Sequence, residues 1–377
     1  MHQSLETALD WGIEAQANAD RKILALLNKF GPAFFHATAN GSYVPGDADW
    51  WTSGFWPGML LLSYRRTKAT QLLDAARTAE AELEQTMVDD RFYGLHHDVG
   101  FQFHPTAVMH YKLTNDPASR RRGLLAANFL MSRFNPAGSF IEAWNTDDRR
   151  GMVIIDTMMN LPLLYWAAAE FNQPRYRNVA DAHAQTAMRT HIRKNGETHH
   201  IVRFDQVSGA VIEPMGGQGF GPYSCWSRGQ SWALYGFALA YRHTGNPDYL
   251  ATSRRVADNF IAALPPEMVP PWDFHAPNAA AAPRDSSAGA IAASGLLELA
   301  HLLPDGEGEA YCQAALTLMQ GLIEHCGTAD RPDQDGLLMH ATGNLPRNQN
   351  IDVSLIYGDF YFLEALDKIN GITETCW

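Results

Sequence analysis

Cysteine is scarce in this chain: its 377 residues include four, Cys225, Cys312, Cys326 and Cys376. None has metal-ligand spacing, and so few cannot staple a chain this long, so they read as reduced thiols. Positive charge is short as well. Against 41 acidic residues stand 29 basic ones, a net charge of -12, which argues against the basic face that nucleic acid or an anionic membrane requires. An acidic small substrate held by a local arginine remains open. No apolar run approaches a membrane span, and the start Met1-His2-Gln3-Ser4-Leu5-Glu6 lacks the basic and apolar regions of a signal peptide. A soluble cytoplasmic protein is the expectation. Apolar residues, by contrast, make up 46% of the chain, enough for a large core in one big domain or two ordinary ones.

One carboxylate stands out because its surroundings have so few. The run Val153 to Trp166 is almost wholly apolar apart from Asp156, Thr157 and Asn160. Apolar surroundings penalise an ionised carboxyl and raise its pKa, which is how a general acid is made near neutral pH. Pro162 suits a first helical turn, so a helix is expected to start near Asn160 as its cap, with Asp156 at its mouth. Asp156 could equally be a cap itself, or the partner of a buried arginine.

Helical segments recur along the chain. Ser4 to Leu27 carries apolar residues at helical intervals (Leu5, Leu9, Ile13, then Ile23, Leu24, Leu27). After it, a helix ending in Tyr, Trp or Ala meets a short polar turn and then an Ala/Leu-rich helix. The turns fall at Tyr64 to Thr67, Tyr111 to Pro117, Phe171 to Tyr176, Tyr241 to Tyr249 and, more loosely, Leu302 to Gly306. These five hairpins are spaced at roughly 45 to 75 residues, too unevenly for a solenoid of short repeats. A sixth forms if the final helix, Tyr361 to Ile369, closes on the first. Six hairpins in a ring make an all-α (α/α)6 barrel, and no linker or composition break divides residues 1–377. Burial of its inner helices on all sides accounts for nearly uncharged segments such as Trp232 to Leu239 and Ala288 to Leu299. Short strands are expected near His199 to Phe204 and Ala210 to Ile212, across a turn at Asp205 to Gly209.

Aromatic and charged residues collect before the inner helices: Asp49 to Trp56, His96-His97-Asp98, Glu142-Ala143-Trp144, Asp156, Gly216 to Gly219, Trp226 to Trp232, Arg284 to Ser287, and Tyr357-Gly358-Asp359. A closed ring brings these loops to one end. A funnel lined with Trp, His, Asp and Arg has the composition of a sugar cleft, where aromatic faces stack on pyranose rings.

Several of these motifs, in order, resemble glycoside hydrolase family 88, the unsaturated glucuronyl hydrolases. They are His97-Asp98-Val99-Gly100-Phe101, Ile155-Asp156 with Asn160 to Leu164, Trp226 to Trp232 with Tyr235 to Leu239, Arg284 to Ala288, and Tyr357-Gly358-Asp359 with Leu363 to Leu366. The resemblance runs from near Trp51 to near Leu366. It implies an (α/α)6 barrel and release of the 4,5-unsaturated uronic acid that polysaccharide lyases leave at a non-reducing end. In that family an aspartate protonates C4 and activates water to attack C5, and the hemiketal collapses. The resemblance places the catalytic aspartate at Asp156, its partner at Asp98, and substrate contacts at Trp51, His97, Trp144, His200, Gln218, Trp226, Arg228 and Trp232. Many members carry a His before Gln218, where this chain has Gly217. The loop Ala341 to Asn350 lacks both the Tyr-His pair of some members and the Ser/Lys cluster that others use on sulfated sugars.

Two carboxylates in one pocket raise one pKa by repulsion, so the charge on Asp98 is expected to keep Asp156 protonated. His96-His97 and His199-His200 lack zinc spacing, so neither a metal nor another cofactor is expected. Arg228 suits a substrate carboxylate through paired hydrogen bonds, or else is a buried partner of Asp285 or Asp359. At least one of the four tryptophans named should be packing only. Gly216 to Gly219 has no feeding strand or following Lys, so it is no phosphate loop. Other readings of such a toroid are an unsaturated galacturonyl hydrolase acting on pectin-type fragments, a sugar epimerase using its histidines, or a non-catalytic binder of acidic oligosaccharides.

Overall fold

Proline and short polar turns set the helix boundaries in the computed structural model of the chain, which describes residues 2–278, 281–372 and 374–377, with side chains from residue 10 onward. Its helices are α1 (His2–Phe30), α2 (Phe55–Thr67), α3 (Thr70–Thr86), α4 (Val99–Phe103), α5 (Met109–Thr114), α6 (Pro117–Ser132), α7 (Leu161–Glu170), α8 (Pro174–Thr190), α9 (Ser227–Thr244), α10 (Pro247–Ala263), α11 (Ser286–Leu302), α12 (Glu309–Cys326) and α13 (Ile356–Ile369). Outer helices α6, α8 and α10 open on proline, whose fixed φ suits a first turn that needs no N–H donor. Inner helices α2, α5 and α9 stop at Lys68, Asn115 and Gly245 in the left-handed conformation, which turns the chain back on itself.

The inner ring runs α2, α4 with α5, α7, α9, α11 and α13, each packed on the next, with α13 returning to α2 and α1 lying outside α13. This is the (α/α)6 barrel expected from the hairpins. One continuous apolar core extends from Ala19 to Trp377. Within α1, Ile23 is buried but Ile13 is 55% exposed, while Leu5 and Leu9 lie outside the described side chains. The second inner helix is broken into α4 and α5 by a π turn, His104–Val108, because Pro105 cannot donate to the preceding turn.

The expected strands near residue 200 are β6 (Ile201–Phe204) and β7 (Val211–Met215), joined by β5 (Met152–Ile154) in an antiparallel sheet of order β5-β6-β7. Three two-stranded hairpins were not foreseen: β1 (Phe35–Ala39) with β2 (Ser42–Pro45), β3 (Phe134–Asn135) with β4 (Phe140–Ile141), and β8 (Ala341–Asn344) with β9 (Gln349–Val353). They are too short to show a clear alternation. All of them precede inner helices, so they gather at the end of the barrel where those helices begin.

The other end is closed. Trp377 is buried, stacking on Tyr361 at 5.9 Å and on His104 at 5.3 Å between ring centroids. Lys112 Nζ donates to the Cys376 carbonyl at 2.8 Å and Arg242 Nη1 to Thr375 Oγ1 at 2.5 Å. These cations stand in the last turns of α5 and α9, where helix dipoles favour positive charge.

Candidate active site

Strand pairing brings the first two site residues together. Ile154 lies opposite Ile201, and Ile155 N donates to the His200 carbonyl at 3.0 Å. Asp156 follows on a 3-10 turn, Ile155–Met159. Asp98 stands just before α4. Asn160 links both: its amide donates to Asp98 Oδ1 at 3.0 Å and to the Asp156 carbonyl at 3.4 Å, while its Oδ1 accepts from Phe101 N at 2.8 Å. Asn160 does occupy the cap position of α7, but its side chain caps nothing there, being committed to Asp98 and α4.

Burial dominates the electrostatics. It pushes the Asp156 carboxyl up to about 7, offset in part by the nearby Arg228 cation. Asp98 is raised well above the carboxylate range, first by burial and then by the charge of Asp156. Asp156 is thus poised to exchange a proton near neutrality. Arg228 favours its ionised form, while Asn160 and, more weakly, Arg133 favour the ionised form of Asp98.

His200 Nε2 lies 3.6 Å from Asp156 Oδ2, while its Nδ1 accepts from Gln218 N at 2.9 Å. A backbone N–H can only donate, so in the neutral ring the proton is assigned to Nε2, facing Asp156. Burial lowers His200 to about 3 and holds the ring neutral. His97 is likewise driven well below its ordinary range by burial; its Nδ1 meets Thr157 Oγ1 at 2.8 Å and its Nε2 lies 3.4 Å from Asp98 Oδ2.

Arg228 is buried, and both of its terminal nitrogens meet protein acceptors. Nη1 donates to Asp285 Oδ2 at 2.5 Å and to the Thr342 carbonyl at 2.7 Å; Nη2 donates to Gln218 Oε1 and to the Gly343 carbonyl, each at 2.6 Å. Of the two acids named as possible buried partners, Asp285 is the one it meets. Asp359 has other partners, Tyr43 Oη and the amides of Leu337 and Leu338. The guanidinium lies over Trp226 and Tyr357, 4.6 and 5.4 Å from the ring centroids. Trp226 also packs on His200 at 4.2 Å. Trp51 is half-buried against Tyr357 at 4.9 Å, and Trp144 stands edge-on to His97 at 6.4 Å. Trp232 is a core ring against Phe101 and Tyr361. Its indole N–H faces Asp156 without closing a hydrogen bond of ordinary geometry.

Among these site residues, five buried polar atoms have no hydrogen-bond partner: Asp156 Oδ2, His97 Nε2, His200 Nε2, Trp226 Nε1 and Trp232 Nε1. Buried polar groups are seldom left unpaired, and here the orphans suit the hydroxyls and carboxylate of a sugar acid. The description of Glycosyl Hydrolase Family 88 matches residues 34–361. The chain belongs to glycoside hydrolase family 88. It is 37% identical over 355 residues to an unsaturated glucuronyl hydrolase of Bacillus sp. strain GL1, covering 92% of this chain and 94% of that one. It is 32% identical over 346 residues to an unsaturated chondroitin disaccharide hydrolase of Streptococcus pneumoniae, covering 90% and 87%. The solved structure of the unsaturated glucuronyl hydrolase of Bacillus sp. GL1 superposes with a TM-score of 0.92 at 35% identity, covering 96% of this chain and 97% of that one.

Family 88 membership makes Gly217 informative. Its φ is +59°, and a Cβ there would lie 2.2 Å from His200 Nδ1. Glycine lets the loop approach closely enough for Gln218 N to reach the ring. Sequence reasoning assigned no role to His36, which sits on β1 among Trp50, Trp51 and Tyr357, at 5.7, 5.9 and 6.1 Å, with an unpartnered Nδ1. A lone histidine in a short strand carries no signal of such a role. Nor did residue spacing reveal that potential ligand atoms of His96, His97 and Asp98 lie within 4.8 Å of one another. These three are a poor cation cage: Asp98 favours its protonated form, and His97 Nδ1 is taken by Thr157.

Proposed function

We propose that this enzyme hydrates the C4=C5 double bond of a 4,5-unsaturated uronic acid at the non-reducing end of a lyase-generated oligosaccharide. The observation that carries this reading is a neutral-range carboxyl, Asp156, with the unpartnered His200 Nε2 3.6 Å from its Oδ2 and the Trp232 indole N–H facing it. Asp156 gives its proton to C4, leaving an oxocarbenium ion at C5. As a carboxylate it then takes a proton from water while the water oxygen bonds to C5. The hemiketal opens to a C5 ketone, and the resulting C1 hemiacetal releases the next sugar as an alcohol and leaves an aldehyde. One water is consumed and Asp156 regains its proton.

Asp98 acts as the partner carboxyl of Asp156, while Trp51, His97, Trp144, His200, Gln218, Trp226 and Trp232 supply stacking faces and hydrogen bonds. Arg228 contributes charge and holds Gln218 in place. An epimerase acting through histidine is disfavoured, because burial lowers His200 to about 3 and His96 to about 3, too low to trade protons near neutrality. Protonating an enol ether needs neither metal nor redox cofactor. The four unpaired cysteines support a cytoplasmic setting, and among the described residues no helix is long and apolar enough to cross a membrane. The test is a panel of unsaturated disaccharides followed by loss of the ene-acid's ultraviolet absorbance; absorbance unchanged on all of them refutes the reading.

A further inference from the structure

The loop that carries Gln218 has little in its own sequence to hold its shape. Four of the six residues 216–221 are glycine, so the segment gives up an unusual amount of backbone freedom on folding. Yet two contacts in the site depend on where Gln218 sits: its N–H meets His200 Nδ1 and its Oε1 accepts from Arg228. The restraint comes from residues 272–274. Asp273 lies opposite Trp226 in a short antiparallel bridge just before α9, where Ser227 N donates to the Trp272 carbonyl at 3.1 Å and Phe274 N to the Cys225 carbonyl at 2.9 Å. From that fixed backbone two side chains reach the loop. Trp272 Nε1 donates to the Gln218 carbonyl at 2.8 Å. Asp273 is fully buried: its Oδ2 accepts from Phe220 N at 2.9 Å and Ser224 Oγ at 2.7 Å, and its Oδ1 from Cys225 N at 3.2 Å and His275 N at 2.9 Å. Three backbone N–H groups and a hydroxyl thus share one carboxyl group that accepts at both oxygens.

We propose that Asp273 is a positioning residue for the reaction: with Trp272 it fixes the Gln218 loop, and through the Gln218 N–H it sets the tautomer that His200 presents to Asp156. The effect on rate rests on the hydration reading, whereas the effect on the ring does not. With the loop released, Gln218 N withdraws from Nδ1 and that nitrogen can carry the ring proton. Nε2 then offers Asp156 a lone pair in place of an N–H.

The experiment reads the histidine directly. Wild type, Asp273→Asn and Trp272→Phe are prepared with isotope-labelled histidine, and nitrogen NMR reports which ring nitrogen of His200 carries the proton, a His200→Gln spectrum serving to assign the signal. Wild type should show a single Nε2–H tautomer. In Asp273→Asn, two of the four donors lose their acceptor whichever way the amide turns, so Nδ1–H should appear and kcat on an unsaturated disaccharide should fall about tenfold, with KM within about twofold. Trp272→Phe keeps the buried ring and removes one bond to Gln218, so both readouts should move the same way by less. An Nδ1–H tautomer in wild type, an unchanged His200 signal in folded Asp273→Asn whatever its rate, or a changed tautomer with wild-type kcat overturns the proposal. If Asp273→Asn does not fold, Trp272→Phe decides by the same criteria. Absence of turnover by wild type, with the ring responding as expected, overturns the hydration reading and leaves the control of His200 standing.

Discussion

The backbone N–H of Gln218 donates to Nδ1 of His200 at 2.9 Å, and this bond determines which nitrogen of the ring faces Asp156. Gly217 makes the approach possible, since its φ of +59° is unsuited to most side chains and a Cβ would collide with the imidazole at 2.2 Å. Gly217→Ala should therefore lower kcat/KM by about tenfold or more with little change in helix content, because the histidine loses its orientation. Unaltered kinetics in a folded variant would mean that the contact does not matter to turnover.

The pH dependence follows from Asp156. Its acid form is lost as pH rises through about 7, so kcat should fall above neutrality. Asp156→Asn should lose at least about 10^2 in kcat, since an amide cannot exchange the proton. In Asp98→Asn activity should fall, and the alkaline limb reports the charge on Asp98, since removing a like charge moves that limb to lower pH. A limb displaced downward by a full pH unit would show that Asp98 is ionised in the working enzyme.

Stability should show the same raised pKa with the opposite consequence. A carboxyl that titrates at 3.8 when unfolded and about 7 when folded leaves stability unaffected below the lower value. As pH rises between the two, the native state holds the extra proton, so stability falls until the full cost is reached above about 7. Asp156→Asn removes that cost, and its Tm should exceed wild type by more at pH 8 than at pH 5. Equal Tm differences at the two values would contradict the raised pKa.

Turnover in heavy water separates this chemistry from ordinary glycosidase action. Deuterium should appear at C4 of the uronic product, and the saturated glucuronide should not be cleaved, because a conventional hydrolase protonates the glycosidic oxygen and leaves C4 untouched. Product free of deuterium at C4 would end the hydration reading.

Chelation addresses the closeness of His96, His97 and Asp98. Exhaustive EDTA treatment should leave the rate unchanged. Loss of activity that a divalent ion restores would show that these three hold a cation.

Much of the barrel was legible from sequence because its signals are local. Prolines at the starts of α6, α8 and α10 and polar stops such as Asn115 mark the hairpins whatever their surroundings. The short strands were less legible, since β3 and β4 span two residues each and exist through their pairing. Within the site, Asp156 was visible as one acid in an apolar run, but the charge acting on it depends on where Arg228 falls in space. Asn160 resembled a cap because it precedes Leu161-Pro162; only the fold shows its amide turned toward Asp98. His36 reaches the pocket through a hairpin that no periodicity announces.

The aromatic column beneath the pocket also has a topological consequence. Trp232 meets Phe101 and Tyr361, and Tyr361 stacks on Trp377, so the funnel is a blind well. A polymer cannot thread through it and be cut midway; only a chain tip can be lowered in, and the detached sugar must leave by the opening through which it entered.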